Sequence, residues 1–346
     1  MKDNEGVRVI DAPYCLLCGS EGKVLYSDLR DQLFGAPGIW TLMQCPKCLL
    51  VWLNPQPTPD DIGMLYAQYF THTTPNSASK NSSALRKLIK ASILQSSFGY
   101  SVDGSNRMLG SLLSLVGPLK EIVGGGVRWL GNDDKGRLLD VGCGNGGFLN
   151  QMRSLGWEVA GVEPDGEAVS VALERYELDV FRGSLEVASF PDGHFDAITI
   201  NHVIEHVPDP IGLLKECHRV LKPEGKLVVV TPNVNSLGFR QFGEYWRGLE
   251  VPRHFHLFSP QTLRACAEAA QVNVYELTTT ARSAYSMWSE SSLFKHDDVF
   301  KGGFPRALSS FCKLNGLFFW AIEYGLSERW GAGEELVMVA RPEHAQ

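Results

Sequence analysis

The feature that most constrains the fold of this chain is a glycine-rich run that follows an acid, Asp140. Residues 137–149 read RLLDVGCGNGGFL, an apolar stretch that passes through alternate glycines into a helix-compatible segment. This pattern predicts a strand, a tight loop and a helix start. Gly142, Gly144 and Gly146 let the backbone take positive φ and approach a ligand closely, and the helix that follows presents free N–H groups. The run therefore predicts a nucleotide-binding loop.

The position of the acid narrows the choice of ligand. The spacing D-x-G-x-G-x-G differs from the dinucleotide fingerprint because an acid two residues before the first glycine repels a pyrophosphate but can hold a cationic group. A tight turn in another doubly wound fold is the alternative. The run resembles motif I of class I S-adenosylmethionine (SAM)-dependent methyltransferases. The resemblance implies that the loop wraps the methionine part of SAM, with Asp140 near it.

Downstream of this loop the chain alternates strands and helices. The apolar segments 137–141, 157–162, 179–181, 195–200 and 226–230 predict five strands separated by helices, hence a parallel sheet covered on both faces. Ligands then belong at the carboxyl ends of the first, second and fourth strands. Segments 274–280 and 335–340 resemble the closing strands of class I methyltransferases. The expected fold is a Rossmann-like α/β sheet of seven strands, parallel with an antiparallel last strand.

Glu163 ends the second predicted strand, 23 residues after Asp140. A carboxylate there can accept two hydrogen bonds from a ribose diol, although an acid at a helix N-terminus is favourable on dipole grounds alone. The resemblance gives Glu163 the ribose of SAM and Ser184 the adenine-binding turn. The whole implied SAM site consists of Asp140, Gly142, Cys143, Gly144, Gly146, Glu163, Pro164, Ser184, Leu185, Asn201 and His202.

Four cysteines occur as two pairs near the start of the chain, Cys15-x-x-Cys18 and Cys45-x-x-Cys48. Two such pairs can place four thiolates around a tetrahedral metal ion, and a segment this short could hardly fold on its core alone. The spacing predicts a structural Zn²⁺ in a small zinc-ribbon-like module, with strands at 23–29 and 39–43. Four thiolates leave no open position, so this metal is not expected to be catalytic. Coincidental cysteines or a redox pair are the alternative.

Histidines supply the candidate catalytic groups. Methyl transfer from a sulfonium is an in-line displacement that needs a positioned acceptor and removal of a proton, which histidine performs best at neutral pH. His202 follows the fourth strand, and His254 and His256 alternate in an extended stretch after the fifth. That stretch resembles the H-x-H-x-x-F-S region of nucleotide-sugar C-methyltransferases, which also carry a four-cysteine zinc module. The resemblance places His254 in the acceptor site; histidines hydrogen-bonded within the fold are the alternative, favoured for His206.

The expected organisation has three parts. Residues 1–60 form the zinc module, 61–135 a helical linker or lid, and 136–346 the SAM domain, with acceptor-site insertions at 236–260 and 281–333. Within these parts we expect helices over 60–69, 84–95, 108–130 and around 311–324, and a loop over 71–83.

Composition restricts the partners. Thirty-nine acids against 32 bases give a net charge of −7, which disfavours nucleic acid as a partner. A polar, acidic start and the lack of a long uncharged apolar stretch predict a cytoplasmic protein with no transmembrane segment, and leave a peripheral membrane contact open. Nothing in the sequence indicates an oligomeric state.

These patterns together predict a zinc-containing, SAM-dependent methyltransferase. Its expected acceptor is an oxygen or carbon atom of a small molecule, such as a sugar, a glycolipid precursor or a secondary metabolite, deprotonated with the help of a histidine. Two alternatives remain at this point. One is a zinc-containing base methyltransferase for ribosomal RNA, and the other is a non-catalytic SAM-binding subunit.

Overall fold

A computed structural model describes residues 2–66, 83–300, 316–325 and 331–342. The N-terminal part consists of short antiparallel strands. These are β1 (Lys2–Asn4), β2 (Val7–Ile10), β3 (Lys23–Leu29), β4 (Trp40–Gln44), β5 (Val51–Leu53) and β6 (Gln56–Pro57). The expected strand at 23–29 is present as predicted, and the one at 39–43 is shifted by one residue. A 3-10 helix, Pro59–Tyr66, replaces the predicted helix over 60–69, whose last three residues lie outside the described part.

A seven-stranded sheet forms the centre of the molecule. Its strands are β7 (Arg137–Val141), β8 (Glu158–Glu163), β9 (Val180–Arg182), β10 (Phe195–Asn201), β11 (Leu221–Pro232), β13 (Val272–Thr280) and β14 (Glu335–Pro342). Their spatial order is β13-β14-β11-β10-β7-β8-β9, and β14 runs antiparallel to both of its neighbours. The expected mixed sheet with an antiparallel last strand is therefore confirmed.

Helices cover both faces of this sheet, as the buried apolar strands require. The helices of the described residues are α1 (Ala84–Phe98), α2 (Arg107–Leu113), α3 (Gly117–Gly126), α4 (Gly147–Ser154), α5 (Gly166–Tyr176), α6 (Leu185–Ala188), α7 (Pro210–Val220), α8 (Leu237–Phe242), α9 (Pro260–Ala269), α10 (Ala284–Phe300) and α11 (316–325). Leu139, Ile198 and Val229 are fully buried in the centre of the core between them.

A second sheet joins the N-terminal part to the central domain. The two-residue strand β12 (His256–Leu257) pairs antiparallel with β5, giving the order β12-β5-β4-β3. A buried salt bridge reinforces the contact, since the Arg253 guanidinium binds both carboxylate oxygens of Asp31 at 2.7 and 2.9 Å. The cysteine module is thus continuous with the histidine-bearing segment that was expected near the acceptor.

The helical parts differ from expectation in two places. The predicted helix over 108–130 is broken into α2 and α3, because Pro118 lies in the first turn of α3 and disfavours helical backbone before it. Within the described ranges no single helix has the length and hydropathy to cross a membrane, and α2 with α3 reaches them only as a pair bent by 113°. The helix α10 was not predicted at all. Residues 71–82 and 311–315, part of the expected loop and helix, lie outside the described residues.

Candidate active site

The glycine loop connects the carboxyl end of β7 to α4. Gly142 and Gly144 have φ values of +70° and +53°. A Cβ atom on Gly142 would lie 2.4 Å from Cγ2 of Val203, so only glycine fits, whereas the Cβ position of Gly144 faces open space. The loop therefore packs against the end of β10 on one side and presents bare backbone on the other. The side chain of Cys143 packs into the core near Leu149, which leaves its backbone to form the loop.

Glu163 holds this loop in place from the neighbouring strand. Its two carboxylate oxygens accept hydrogen bonds from the backbone N–H groups of Gly144 at 2.8 Å and Asp165 at 3.0 Å. Burial raises the pKa of this carboxyl group. Each oxygen keeps a second lone pair, so the carboxylate can still accept hydrogen bonds from a ligand diol.

Asp140 lies at the carboxyl end of β7 with only 3% of its surface exposed. The Thr199 hydroxyl donates a 2.6 Å hydrogen bond to its carboxylate. Burial raises the pKa of Asp140 to about 6, although the positive charge of Arg128 opposes the shift. A cationic ligand would favour the ionised carboxylate, so the residues around the loop fit a ligand that carries both a positive charge and a diol, as SAM does.

The other residues expected at the SAM site occupy different surroundings. Asn201 ends β10, and its buried Oδ1 has no hydrogen-bond partner among the residues that the structure describes. Ser184 is exposed at the start of α6 and makes no capping hydrogen bond. The side chain of Leu185 is buried in the core, whereas Pro164 is exposed after β8. Asn201 is thus the strongest of these four as a ligand-binding side chain.

A cavity of about 320 Å³ opens beside the loop, at the carboxyl ends of β10 and β11. Nine of its twelve lining residues have polar or charged side chains, and α10, which the sequence did not predict, supplies part of the lining. The lining residues are His202, His206, Pro232, Arg247, Gly248, Glu250, His254, Ser283, Ser286, Met287, Glu290 and Glu335. Because His202 lines the cavity and the next residue, Val203, packs against Gly142, the 202–203 segment separates the cavity from the glycine loop.

His202 is held between two buried carboxylates. Its Nε2 lies 2.8 Å from Oε1 of Glu335 and its Nδ1 lies 3.3 Å from Oε1 of Glu205. Burial alone would lower the pKa of His202, but the hydrogen bonds to Glu205 and Glu335 raise it to about 10. The imidazole is therefore a cation at neutral pH and has no free lone pair for accepting a proton.

His254 has the opposite character. Its Nδ1 lies 2.8 Å from the Gly248 carbonyl oxygen, so Nδ1 carries the hydrogen and Nε2 holds the lone pair. Burial, reinforced by the neighbouring His206, lowers the pKa of His254 to about 4 against the opposing charge of Glu250. His254 is thus neutral at the cavity wall.

His256 points elsewhere. Its Nε2 lies 3.2 Å from the Pro208 carbonyl oxygen, and it does not line the cavity. Burial lowers the pKa of this imidazole to about 4. Of the three histidines singled out in the sequence, the structure therefore brings His202 and His254 to the cavity together, along with His206.

Several cavity residues were not identified from the sequence. Glu335 opens β14, more than 130 residues from its partner His202, and only the placement of an acid at the start of an apolar strand hinted at it. Glu250 is buried between Arg247 and Arg253. Glu250 and both arginines belong to the same stretch as His254 and His256. The sequence does not show that these charges pair, because the pairing depends on the fold.

The four paired cysteines converge at the other end of the N-terminal part. Their Sγ atoms are separated by 3.4 Å (Cys15 to Cys48), 3.3 Å (Cys18 to Cys45) and 4.0 Å (Cys18 to Cys48). A Zn–S distance of about 2.3 Å corresponds to tetrahedral edges of ~3.8 Å, so these separations fit one zinc ion. Hydrogen bonding with Ser20 lowers the pKa of Cys18 to about 6, which favours its thiolate.

Comparison with known proteins agrees with this geometry. Residues 122–277 match a family model described as a methyltransferase domain. The chain is 40% identical over 109 residues to a ubiquinone biosynthesis O-methyltransferase of Xanthomonas oryzae pv. oryzae, covering 30% of this chain and 46% of the relative. It is 38% identical over 154 residues to the protein of the same name from Xanthomonas campestris pv. campestris, covering 41% and 64%.

The chain thus spans about half the length of the first of these curated relatives. Among solved structures, it is similar to phospholethanolamine N-methyltransferase 2 of Haemonchus contortus, with 19% identity, coverage of 85% of this chain and 63% of that one, and a TM-score of 0.45, which is too low to add to the assignment. The matched region contains the glycine loop, Asp140, Glu163 and strands β7 to β11. Residues 122–277 are therefore similar to a methyltransferase domain.

Proposed function

We propose that this protein transfers a methyl group from SAM to an oxygen or carbon atom of a small-molecule acceptor bound in the cavity at the ends of β10 and β11. The acceptor class is a sugar, a glycolipid precursor or a secondary metabolite. One observation carries the proposal: a cavity of about 320 Å³, lined mainly by residues with polar side chains, adjoins the glycine loop through His202 and Val203. Two adjoining sites can bring two small substrates within reach of each other.

The SAM half of the proposal rests on two carboxylates. Asp140 would face the charged methionine part, and Glu163 would accept the ribose hydroxyls while keeping Gly144 in place. SAM supplies an electrophilic methyl group on a sulfonium. The similarity to proteins named O-methyltransferases supports oxygen as the methylated atom.

In the acceptor part of the proposal, His254 is the base that removes the proton from the acceptor. Its neutral Nε2 can accept a proton from an acceptor hydroxyl or carbon acid, and its donated hydrogen bond to Gly248 fixes the ring. His202, a cation, would instead orient the acceptor or an anion formed from it. The contact of His256 with Pro208 favours a structural role for that side chain.

Calorimetric titration of SAM tests the first half. We expect Asp140→Ala and Glu163→Ala to weaken SAM binding, since each removes a charged contact. Glu158→Ala is the matched control, because this acid lies at the opposite, exposed end of β8. Unchanged affinity in both site variants would refute the assignment.

Turnover tests the second half. Wild type incubated with SAM and a panel of hydroxylated acceptors should release S-adenosylhomocysteine, and His254→Ala should lose this activity while binding SAM normally. Full turnover by His254→Ala with the true acceptor would exclude it as the base. Tight SAM binding with no turnover across acceptors would favour a non-catalytic SAM-binding subunit.

We also propose that Cys15, Cys18, Cys45 and Cys48 hold a structural Zn²⁺. The sulfur separations and the N–H groups of Lys47 and Cys48, which donate to the Cys45 sulfur at 3.4 Å, support this. Elemental analysis of purified protein should find zinc, and Cys45→Ser should lose both the metal and the folded module. A metal-free protein that folds normally would contradict the proposal.

A further inference from the structure

A second group of metal-type ligands lies at the wall of the acceptor cavity. Glu205, His206 and His254 each offer one ligand atom, and these three atoms lie within 4.8 Å of one another. We call them the cavity triad. Glu205 and His206 lie in a 3-10 turn after β10, and a 2.7 Å hydrogen bond from the Phe255 N–H to the Glu205 carbonyl brings His254 beside them. The imidazole rings of His206 and His254 are 4.5 Å apart between centroids.

In both histidines, one ring nitrogen hydrogen-bonds to a neighbouring protein group, as is usual for imidazoles that bind a metal through the other nitrogen. His254 donates from Nδ1 to the Gly248 carbonyl at 2.8 Å. The Nδ1 of His206 lies 2.9 Å from the Tyr66 hydroxyl, and donation from Nδ1 leaves its Nε2 as the lone-pair nitrogen. Such outer hydrogen bonds fix the tautomer and the direction of the ring around a metal. Both rings are thereby oriented without using the nitrogen that a metal needs.

Carboxylates complete the set of donors. Glu205 is fully buried, and its oxygens already accept hydrogen bonds from His202 and from Thr231 at 2.9 Å, which fix its orientation. Glu250 places Oε2 3.9 Å from Nε2 of His254 and offers a further oxygen. Two imidazoles with one or two carboxylates suit Zn²⁺, Fe²⁺, Co²⁺ or Mn²⁺, whereas Ca²⁺ and Mg²⁺ prefer oxygen alone.

We propose that the cavity triad binds a divalent transition-metal ion, distinct from the ion of the cysteine module, with an open coordination position toward the cavity. A Zn–N distance of about 2.0 Å corresponds to ligand separations of ~3.3 Å, so binding would draw the side chains inward. The open position would take an oxygen atom of the acceptor and orient it; this part alone rests on the proposed methyl transfer. In the metal-loaded protein, Nε2 of His254 is a ligand rather than the proton acceptor.

The metal count decides between the two roles of His254. Zinc-loaded protein is incubated with excess Co²⁺, dialysed, and measured by elemental analysis and visible absorption. We expect wild type to hold two metal ions per chain, with cobalt in a nitrogen and oxygen environment, and His206→Gln and His254→Gln to hold one. His256→Gln is the matched control, a buried histidine two residues away that should keep both ions.

Two further measurements distinguish loss of the metal site from loss of folding. SAM affinity and the thermal unfolding midpoint show whether each variant is folded, and Glu205→Gln repeats the test from the carboxylate side. One ion per wild-type chain, or two in folded His206→Gln and His254→Gln, overturns the metal site. Loss of turnover in His254→Gln with both ions retained also overturns it, in favour of the base. A drop from two ions to one with no methyl transfer by wild type supports the metal site and refutes the proposed function.

Discussion

At the scale of single residues, the two carboxylates of the proposed SAM site are held in different ways. Glu163 is satisfied by two backbone N–H groups, so its orientation is set before any ligand arrives. Asp140 has one hydroxyl donor and is buried, so its charge is under-compensated and its pKa rises to about 6. A site that keeps an acid poorly solvated gains affinity for a cation at the expense of its own stability.

The first prediction follows from this conflict. Because the pKa of Asp140 is higher in the folded than in the unfolded protein, its ionisation destabilises the fold above about pH 4. Asp140→Asn should therefore raise the free energy of unfolding at pH 7 by about 1–3 kcal/mol and weaken SAM binding by about tenfold or more. Urea unfolding and calorimetry measure the two effects. Wild-type SAM affinity should also fall as the pH drops below 6, and this dependence should vanish in the variant; a less stable variant would count against the idea.

The second prediction concerns His202. Its pKa is about 10 in the folded protein and near 6.5 in the unfolded chain, so folding favours the protonated ring. The stability that this ring contributes is fully present below about pH 6.5 and is lost as the pH rises toward 10. His202→Gln should therefore unfold at a lower temperature than wild type at pH 6, with the difference shrinking by pH 9. Thermal melts across this range provide the measurement, and a constant difference would show that the ring is not a cation in the folded protein.

At the scale of elements, the segment 246–258 links the acceptor cavity to the N-terminal part. It carries His254 on one side, extends the β5 edge through β12, and anchors Arg253 on Asp31. Both side chains of this salt bridge are essentially inaccessible to water. A buried charge that loses its partner is costly, whereas an exposed pair contributes little.

We therefore expect Arg253→Met to lower the free energy of unfolding by about 3–5 kcal/mol, since it leaves Asp31 buried without its cation. The matched control is Arg30→Met, which breaks the exposed pair with Glu5 and should cost less than about 1 kcal/mol. Denaturant unfolding monitored by tryptophan fluorescence compares the two. Equal losses in both variants would contradict the assigned importance of the buried pair.

Individual strands and helices show which parts of the fold could be predicted from the sequence. The strand β7 matches its expected bounds, because its apolar run ends at a glycine loop. The helix α10 escaped prediction because serines interrupt the apolar residues of its buried face. Ser289 and Ser291 are tolerated there because each donates to the carbonyl four residues earlier.

The cavity was harder to predict than the glycine loop, because its residues come from distant parts of the chain. Asp140, Gly142 and Glu163 lie in or next to two consecutive strands that pair with each other. Their positions in the sequence are therefore enough to predict that they lie close together in the fold. His202 and Glu335, in contrast, meet only because β14 inserts between β11 and β13. Pairings of this kind depend on sheet order, and no local pattern records them.

At the scale of the whole molecule, the cysteine module and the acceptor cavity form one structural unit. Tyr66 contacts His206, Asp31 binds Arg253, and β5 pairs with β12. The glycine loop proposed to bind SAM follows β7, the neighbour of β10, and makes none of these three contacts. The metal expected on the cysteines should therefore control the acceptor side of the protein more than the SAM side.

The last prediction tests this division with Cys18→Ser, which removes the exposed sulfur ligand with little change in packing. We expect the variant to lose zinc and to exchange backbone amide hydrogens faster at 51–53 and 256–257, because the β5–β12 pairing loses its support. Exchange at 138–141 and SAM affinity should equal those of wild type, whereas acceptor turnover should fall. Hydrogen-exchange mass spectrometry reads both regions in one experiment. Faster exchange throughout the protein, or in neither region, would show that the module does not act selectively on the acceptor cavity.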